Sequence, residues 1–192
     1  MTRRVLGTIA AVALVALFVG LIVGEIDHVV HRLGLPLSDA SVIREQAEEK
    51  HLDPALIAAV IYAETKFDPR PSSAGAEGLM QILPATAYFL AHLSGGSRFT
   101  ASDLATPSIN VAYGSYYLRY LLDHYNGNEM LAVAAYNGGL ANVDSWVAHA
   151  NAAGHPLTVA AIPFPETREY VQRVLSAQRE YRATYSRQLG IE

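Results

Sequence analysis

The segment from Asp53 to Glu64 constrains the fold most, because it is a helix-forming run that is apolar almost throughout. Asp53 is a good N-cap, and Pro54 suits the first helical position, where a missing N–H costs nothing. On a period of 3.6 residues, the apolar face that should enter the core ends in a carboxyl group. That face comprises Ile57, Val60, Ile61 and Glu64.

Glu64 is therefore the first candidate functional residue. Burial disfavours the charged form of a carboxyl group, so the sequence predicts a raised pKa for Glu64 and a proton held near neutrality. A general acid requires that state. The alternative, which the helix alone leaves open, is a glutamate at the helix end that turns outward into solvent.

Helical patterns also account for the rest of the chain after residue 38. No stretch has the alternating, β-branched pattern of a strand hairpin, and prolines and glycines separate the apolar segments. We expect an all-α domain of about eight helices, the first capped by Ser38 or Asp39. A short helix is predicted over Gly78–Leu83, ended by Pro84. The other predicted helices cover 39–50, 53–64, 84–93, 109–125, 129–136, 140–149 and 166–186.

The N-terminal region has a different character. Val5 to Gly24 contains no charged residue, and a helix of that length spans roughly 30 Å, the thickness of a hydrocarbon core. The sequence predicts an uncleaved transmembrane signal anchor over 1–24, a juxtamembrane linker over 25–37 and a helical domain over 38–192; a cleaved signal peptide is the alternative. Arg3 and Arg4 favour a cytoplasmic N-terminus, with the domain in the periplasm or on the cell exterior.

The composition excludes several classes of function. The chain has a net charge of −4 and no basic stripe, which argues against a nucleic-acid partner. It has no cysteine, its seven histidines form no metal-ligand pattern, and no phosphate-binding glycine loop is present. What remains is acid–base chemistry by carboxylates, without metal or cofactor. The supply of tyrosine, asparagine and glutamine suits a carbohydrate substrate.

Four stretches carry recognisable motifs, and a further pattern lies among them. Together they resemble a soluble-type (SLT) lytic transglycosylase domain of the goose-lysozyme-like group, over about Ser41 to Tyr185. The stretches are Glu64-Thr65-x-Phe67, Ser72–Gln81 (SSAGAEGLMQ), Ala134–Gly139 (AAYNGG) and Ile162–Val171 (IPFPETREYV), and the further pattern is Pro107-x-x-Asn110-Val111-x-x-Gly114-x-x-Tyr117-Leu118.

This resemblance implies a lysozyme-like helical fold and a catalytic domain over 38–192. It implies cleavage of the β-1,4 bond between N-acetylmuramic acid and N-acetylglucosamine in peptidoglycan glycan strands. It also implies that Glu64 is the sole catalytic acid/base and that Tyr170 hydrogen-bonds its carboxyl group. For Met80, a core position is the alternative to a wall of the site. The residues implied for substrate binding are Ser72, Met80, Gln81, Tyr136, Asn137, Glu166 and Tyr170.

A single acid is consistent with the remaining carboxylates. Glycosidases ordinarily use two, but Asp68, Glu77 and Asp103 lie in loop-like or helix-start contexts that suit capping or solvation. The substrate's own 2-acetamido group would then stabilise the developing positive charge, and the muramic acid 6-hydroxyl would close a 1,6-anhydro ring. Two alternatives stay open: a lysozyme that uses water, and an inactive glycan-binding scaffold domain of a cell-envelope complex.

Overall fold

The computed structural model describes residues 34–70, 72–95 and 99–191. The chain divides into two units, Met1–Pro36 and Leu37–Glu192, and the second unit contains the helical domain. The predicted anchor over 1–24 and most of the predicted linker over 25–37 lie outside the described residues. Among the helices that are described, none is long and apolar enough to cross a membrane.

Regular structure in the described part of the chain is helical, apart from one isolated bridge that pairs Glu77 with Ile82. The predicted all-α fold is thereby confirmed for this part. Two short 3₁₀ helices cover Ala101–Ala105 and Val159–Ala161. The α-helices are α1 (Ala40–Lys50), α2 (Pro54–Thr65), α3 (Pro84–Ser94), α4 (Pro107–His124), α5 (Glu129–Gly138), α6 (Leu140–Ala152) and α7 (Pro165–Leu189).

The helix α2 lies at the centre of the domain. Every residue from Ala55 to Ile61 is buried, so the helix is enclosed on all sides rather than along the single stripe that the sequence suggested. A helix that is apolar all round requires neighbours all round. The long helix α7 supplies the most extensive of these contacts, and α1 packs against α2 as well. The last turn, from Tyr62 to Thr65, is half-exposed, as is Pro54 at the start of the helix.

Asp53 fastens the start of α2, as predicted. Its Oδ1 accepts a hydrogen bond from the backbone N–H of Ala55 (3.0 Å), which caps the helix. Its Oδ2 accepts from Gln178 Nε2 and from Arg182, each at 2.7 Å, and both of these side chains belong to α7. One carboxylate therefore fixes where α2 begins and how α7 lies against it.

The predicted short helix over Gly78–Leu83 is wrong. Residues 78–81 form a turn, closed by hydrogen bonds in both directions between the backbones of Glu77 and Ile82 (3.0 and 3.1 Å). Gly78 and Gln81 have φ angles of +73° and +47°, which a right-handed helix does not allow. A β-carbon at Gly78 would collide with the side chain of Asn110, so a close approach selects glycine there.

The predicted cap of α1 is also not formed by a side chain. Asp39 occupies the N-cap position, but its backbone is left-handed (φ 52°, ψ 28°) and its carboxylate makes no capping hydrogen bond. Capping requires extended backbone, so that the side chain reaches the first free N–H groups. The carboxylate of Asp39 instead accepts a hydrogen bond from the hydroxyl of Ser38 (2.7 Å).

Asp53→Ala should lower the free energy of unfolding by about 1–3 kcal/mol, because it removes the cap of α2 and two hydrogen bonds to α7. Urea unfolding followed by circular dichroism measures the change. The matched control is Asp123→Ala, which removes an ion pair between exposed Asp123 and half-buried Arg119 on α4. That control should cost less than about 0.5 kcal/mol, and equal losses in the two variants would contradict the assignment.

Candidate active site

Glu64 lies in the last turn of α2, where the buried helix reaches the surface. Its side chain is half-buried, and the hydroxyl of Tyr170 donates a hydrogen bond to its Oε1 (2.7 Å). Tyr170 is a residue of α7 and is only 2% exposed. The structure thus contains the hydrogen bond that the resemblance implied, across more than a hundred residues of sequence.

Burial raises the pKa of Glu64 from its ordinary value of 4.5 to about 7. The hydrogen bond from Tyr170 and the positive charge of Arg173 act in the opposite direction and lower it. Desolvation is the largest of the three effects, because the carboxyl group stands at the end of an enclosed apolar helix. The raised pKa predicted from the sequence is confirmed, and near neutrality Glu64 exchanges readily between its two protonation states.

Two tyrosines beside Glu64 keep their protons. Burial, followed by the charge of Glu64, raises the pKa of Tyr136 and of Tyr170 well above its ordinary value. Both hydroxyls therefore act as hydrogen-bond donors. Tyr170 donates to Glu64, and Tyr136 donates to the backbone carbonyl of Met80 (2.9 Å).

Met80 supports the site from within the core. Its side chain is fully buried and fills the space beside Gly114, where a β-carbon would collide with the methionine sulfur. This burial agrees with the core position that the sequence left open for Met80. The side chain of Met80 has no exposed surface with which to bind substrate, the role that the resemblance implied. Its backbone instead accepts the hydrogen bond of Tyr136 and donates one to Asn110 Oδ1 (2.8 Å).

Asn110, which the sequence motif contained without an assigned role, holds the turn that carries Gln81. Its buried amide donates hydrogen bonds to the carbonyls of Glu77 (2.8 Å) and Leu104 (3.0 Å), while its oxygen accepts from Met80. A buried asparagine with its polar atoms satisfied gives irregular backbone one favoured arrangement. The motif pattern Pro107-x-x-Asn110 was the only signal that the sequence offered for this role.

Ser72 and Gln81 stabilise the two ends of this irregular segment. The hydroxyl of Ser72 accepts a hydrogen bond from the backbone N–H of Ala76 (2.8 Å). The side-chain amide of Gln81 donates to the carbonyls of Gly78 (2.9 Å) and Arg70 (3.1 Å). The contacts of Ser72 lie within the loop, whereas Gln81 lines the same cleft as Glu64.

Thr65 joins α2 to the same segment. Its hydroxyl lies 2.9 Å from the carbonyl oxygen of Leu79 and 3.1 Å from that of Ile61. The residue directly after the candidate acid therefore fastens the turn that forms one wall of the cleft. The sequence motif contained Thr65 without assigning it this role.

Asn137 and Glu166 both lie at the surface. The side-chain oxygen of Asn137 accepts a hydrogen bond from the buried hydroxyl of Thr167 (2.8 Å), which ties the end of α5 to the first turn of α7. Glu166 is exposed in that same first turn, where a negative charge is favourable. The structure brings Tyr170 and Gln81 to Glu64, and it leaves Glu166 and Ser72 without direct contact with the carboxyl group of Glu64.

The cleft at Glu64 has a volume of about 400 Å³ and is open to solvent. Among residues 34–70, 72–95 and 99–191, no group of three histidines or carboxylates is arranged to hold a metal ion. The chemistry that the described side chains support here is proton transfer by a carboxyl group. The cleft is lined by Ala63, Glu64, Thr65, Lys66, Asp68, Arg70 and Gln81.

Residues 41–157 match the family model described as Transglycosylase SLT domain. The chain is 32% identical over 161 residues to the soluble lytic murein transglycosylase of Escherichia coli K12, an alignment that covers 81% of this chain and 24% of that protein. It is 29% identical over 163 residues to the membrane-bound lytic murein transglycosylase C of Salmonella paratyphi B, covering 73% of this chain and 45% of the relative. The chain thus spans about a quarter of the first relative and less than half of the second.

The fold is similar to that of a crystal structure from Pseudomonas aeruginosa, lytic transglycosylase Slt in an inactive mutant that carries glutamine in place of a glutamate. The two share 29% sequence identity with a TM-score of 0.72, over 83% of this chain and 26% of that one. The helical architecture of the domain is therefore that of a known structural group.

Compared with the wild type, the Glu64→Gln variant should gain stability as the pH rises. The folded pKa of Glu64 lies above the unfolded value, so the wild type loses stability between about pH 4.5 and about pH 7, while glutamine cannot ionise. We expect the Tm of the variant, relative to wild type, to be higher at about pH 8 than at about pH 4. Glu169→Gln, at an exposed position of α7, is the control and should show no such gain. A pH-independent difference for Glu64→Gln would contradict the buried position of the carboxyl group.

Proposed function

Because the chain belongs to the transglycosylase SLT family, we propose that it is a peptidoglycan lytic transglycosylase with Glu64 as its single acid/base. The bond cleaved is the β-1,4 linkage between N-acetylmuramic acid and N-acetylglucosamine, and the product carries a 1,6-anhydro ring. The observation that carries the proposal is a half-buried carboxyl group with a pKa of about 7, held by a tyrosine hydroxyl at 2.7 Å. The inactive glutamate-to-glutamine mutant of the Pseudomonas aeruginosa protein supports a glutamate in this role.

In the first step, protonated Glu64 gives its proton to the glycosidic oxygen, and the bond from that oxygen to C1 of the muramic acid breaks. Positive charge develops on C1 and its ring oxygen. The carbonyl oxygen of the substrate's 2-acetamido group attacks C1 and takes up this charge. Burial of Glu64 favours this step, because it keeps the proton available near neutral pH.

In the second step, Glu64 acts as a carboxylate and removes the proton from the 6-hydroxyl of the same sugar. The freed oxygen attacks C1 and displaces the acetamido oxygen, which closes the 1,6-anhydro ring. Glu64 now carries the proton taken from the 6-hydroxyl and can protonate the next glycosidic oxygen. A pKa of about 7 suits a group that must be acid and base in turn.

The location that fits this substrate is outside the cytoplasm. We infer a single-pass anchor over 1–24, supported by the uncharged run from Val5 to Gly24 and the basic residues before it. The membrane-bound transglycosylase among the relatives is compatible with membrane attachment. The domain would then act on glycan strands from the outer face of the cytoplasmic membrane.

Wild-type protein should release muropeptides that are lighter by one water than the products of a hydrolytic muramidase acting on the same purified sacculi. Mass spectrometry of the soluble fragments distinguishes the two products. Glu64→Gln should reduce the rate of release by about 100-fold or more, since it removes the only proposed proton donor.

The same digestion separates the alternative functions. Products without the anhydro ring would indicate a lysozyme, in which water replaces the 6-hydroxyl. Binding of glycan strands without cleavage, unaltered in Glu64→Gln, would indicate a scaffold domain and would refute the proposed enzyme.

Tyr170→Phe should move the alkaline limb of the pH–rate profile to higher pH. Activity falls as Glu64 loses its proton near pH 7. Because the hydrogen bond from Tyr170 lowers the pKa of Glu64, removing this hydrogen bond keeps Glu64 protonated to higher pH. The rate at the optimum should fall roughly 10- to 100-fold, since a hydrogen bond to the acid is lost. Tyr88→Phe, an exposed position on α3, is the control and should leave the limb in place. A limb unmoved by Tyr170→Phe would exclude Glu64 as the titrating acid.

A further inference from the structure

Two cations lie near Glu64, and neither forms an ion pair within salt-bridge distance. Lys66 is exposed at the end of α2 and lines the cleft, and Arg173 is exposed on α7. Neither side chain forms a hydrogen bond or an ion pair with another described residue. Arg70, which lines the cleft together with Lys66, differs from both because it is paired with Asp68 at 2.7 Å.

These two charges are not explained by the composition or by the proposed acid. The protein carries a net charge of −4, so unpaired cations near Glu64 are not a consequence of a basic surface. The positive charge of Arg173 also favours loss of the proton from Glu64, which opposes the first step of the reaction. Positive charges in this position are therefore better explained by an interaction with an anion outside the protein.

Arg173 is held in a way that suits anion binding. Its guanidinium carbon lies 5.8 Å from the centre of the Tyr170 ring, and Tyr170 is fixed by burial and by its hydrogen bond to Glu64. A guanidinium group carries its N–H donors in a flat fork, which matches a carboxylate with two parallel hydrogen bonds. Lys66, two residues after Glu64, adds a point charge at the cleft.

We propose that Lys66 and Arg173 form a carboxylate-binding subsite, which recognises acidic groups carried by the glycan strand cleaved at Glu64. This inference rests on the proposed function. On such a strand, carboxylates come either from the peptide stems or from the lactyl groups that remain when the stems are removed. A neutral glycan offers neither, so the subsite would make the enzyme selective for the acidic strand.

The test compares three forms of the same glycan strands: strands with intact peptide stems, strands whose stems an amidase has removed, and strands whose carboxylates are coupled to methylamine. The last form keeps the glycan and removes its negative charge. KM and kcat are measured for the wild type, for Arg173→Gln, for Lys66→Gln and for the double variant. Arg179→Gln, which removes the same charge from an exposed position farther along α7, is the matched control.

Each single variant should raise KM roughly two- to fivefold on a carboxylate-bearing strand and leave KM on the methylamidated strand unchanged. The double variant should multiply the two effects, and added salt should diminish them. A KM effect confined to stem-bearing strands assigns the stem carboxylates, and one retained on amidase-treated strands assigns the lactyl carboxylates. Arg179→Gln should behave as wild type.

Equal KM values for wild type and the double variant on every strand would overturn the subsite. So would a loss of equal size on charged and methylamidated strands, because it would mean that the cations act through Glu64 rather than on the substrate. These outcomes are distinct from a failure of the proposed function, in which wild-type protein releases no anhydro products from any of the three strands.

Discussion

The hydrogen bond between Tyr170 and Glu64 is the contact on which the rest of the site depends. It joins the last turn of α2 to α7, while Asp53 joins the first turn of α2 to the same helix through Gln178 and Arg182. The central helix is therefore fastened to α7 by a carboxyl group at each end. Between the two contacts, every residue from Ala55 to Ile61 is buried, so a shift of α2 along its axis would break hydrogen bonds and apolar packing together. This arrangement fixes the position of Glu64 more strictly than its own half-exposed turn could.

The environment of Glu64 combines opposing effects. Burial favours the protonated form, whereas Tyr170 and Arg173 favour the ionised form, and the result is a pKa of about 7. A carboxyl group buried without the hydrogen bond from Tyr170 would keep its proton to higher pH and serve less well as a base, and one in open water would lose it and serve poorly as an acid. The proposed reaction needs both states in succession. The hydrogen bond from Tyr170 is thus as much a requirement of the mechanism as the apolar helix that carries Glu64.

The sequence predicted the elements of this fold better than the connections between them. Asp53 and Pro54 marked the start of α2 correctly, because capping and the first helical turn depend on neighbouring residues only. The turn at 78–81 was mistaken for a helix, since its conformation depends on Asn110, which lies in a different helix and excludes a side chain at Gly78. The contact of Tyr170 with Glu64 came from a family motif and not from periodicity. The missing cap at Asp39 depends on a backbone angle that its residue type does not specify.

The turn at 78–81 also explains how irregular backbone can form a precise wall. Asn110 holds it by two hydrogen bonds, to Met80 and Glu77, and Tyr136 and Thr65 hold it through the carbonyls of Met80 and Leu79. Each of these contacts comes from a helix, and two of the helices, α2 and α5, carry residues of the proposed site. A buried polar group without a partner costs free energy, so a loop with satisfied partners has one favoured arrangement. Contacts from the helices thereby hold the segment that carries Gln81 in one position. This segment forms the wall of the cleft on the side where no helix lines it.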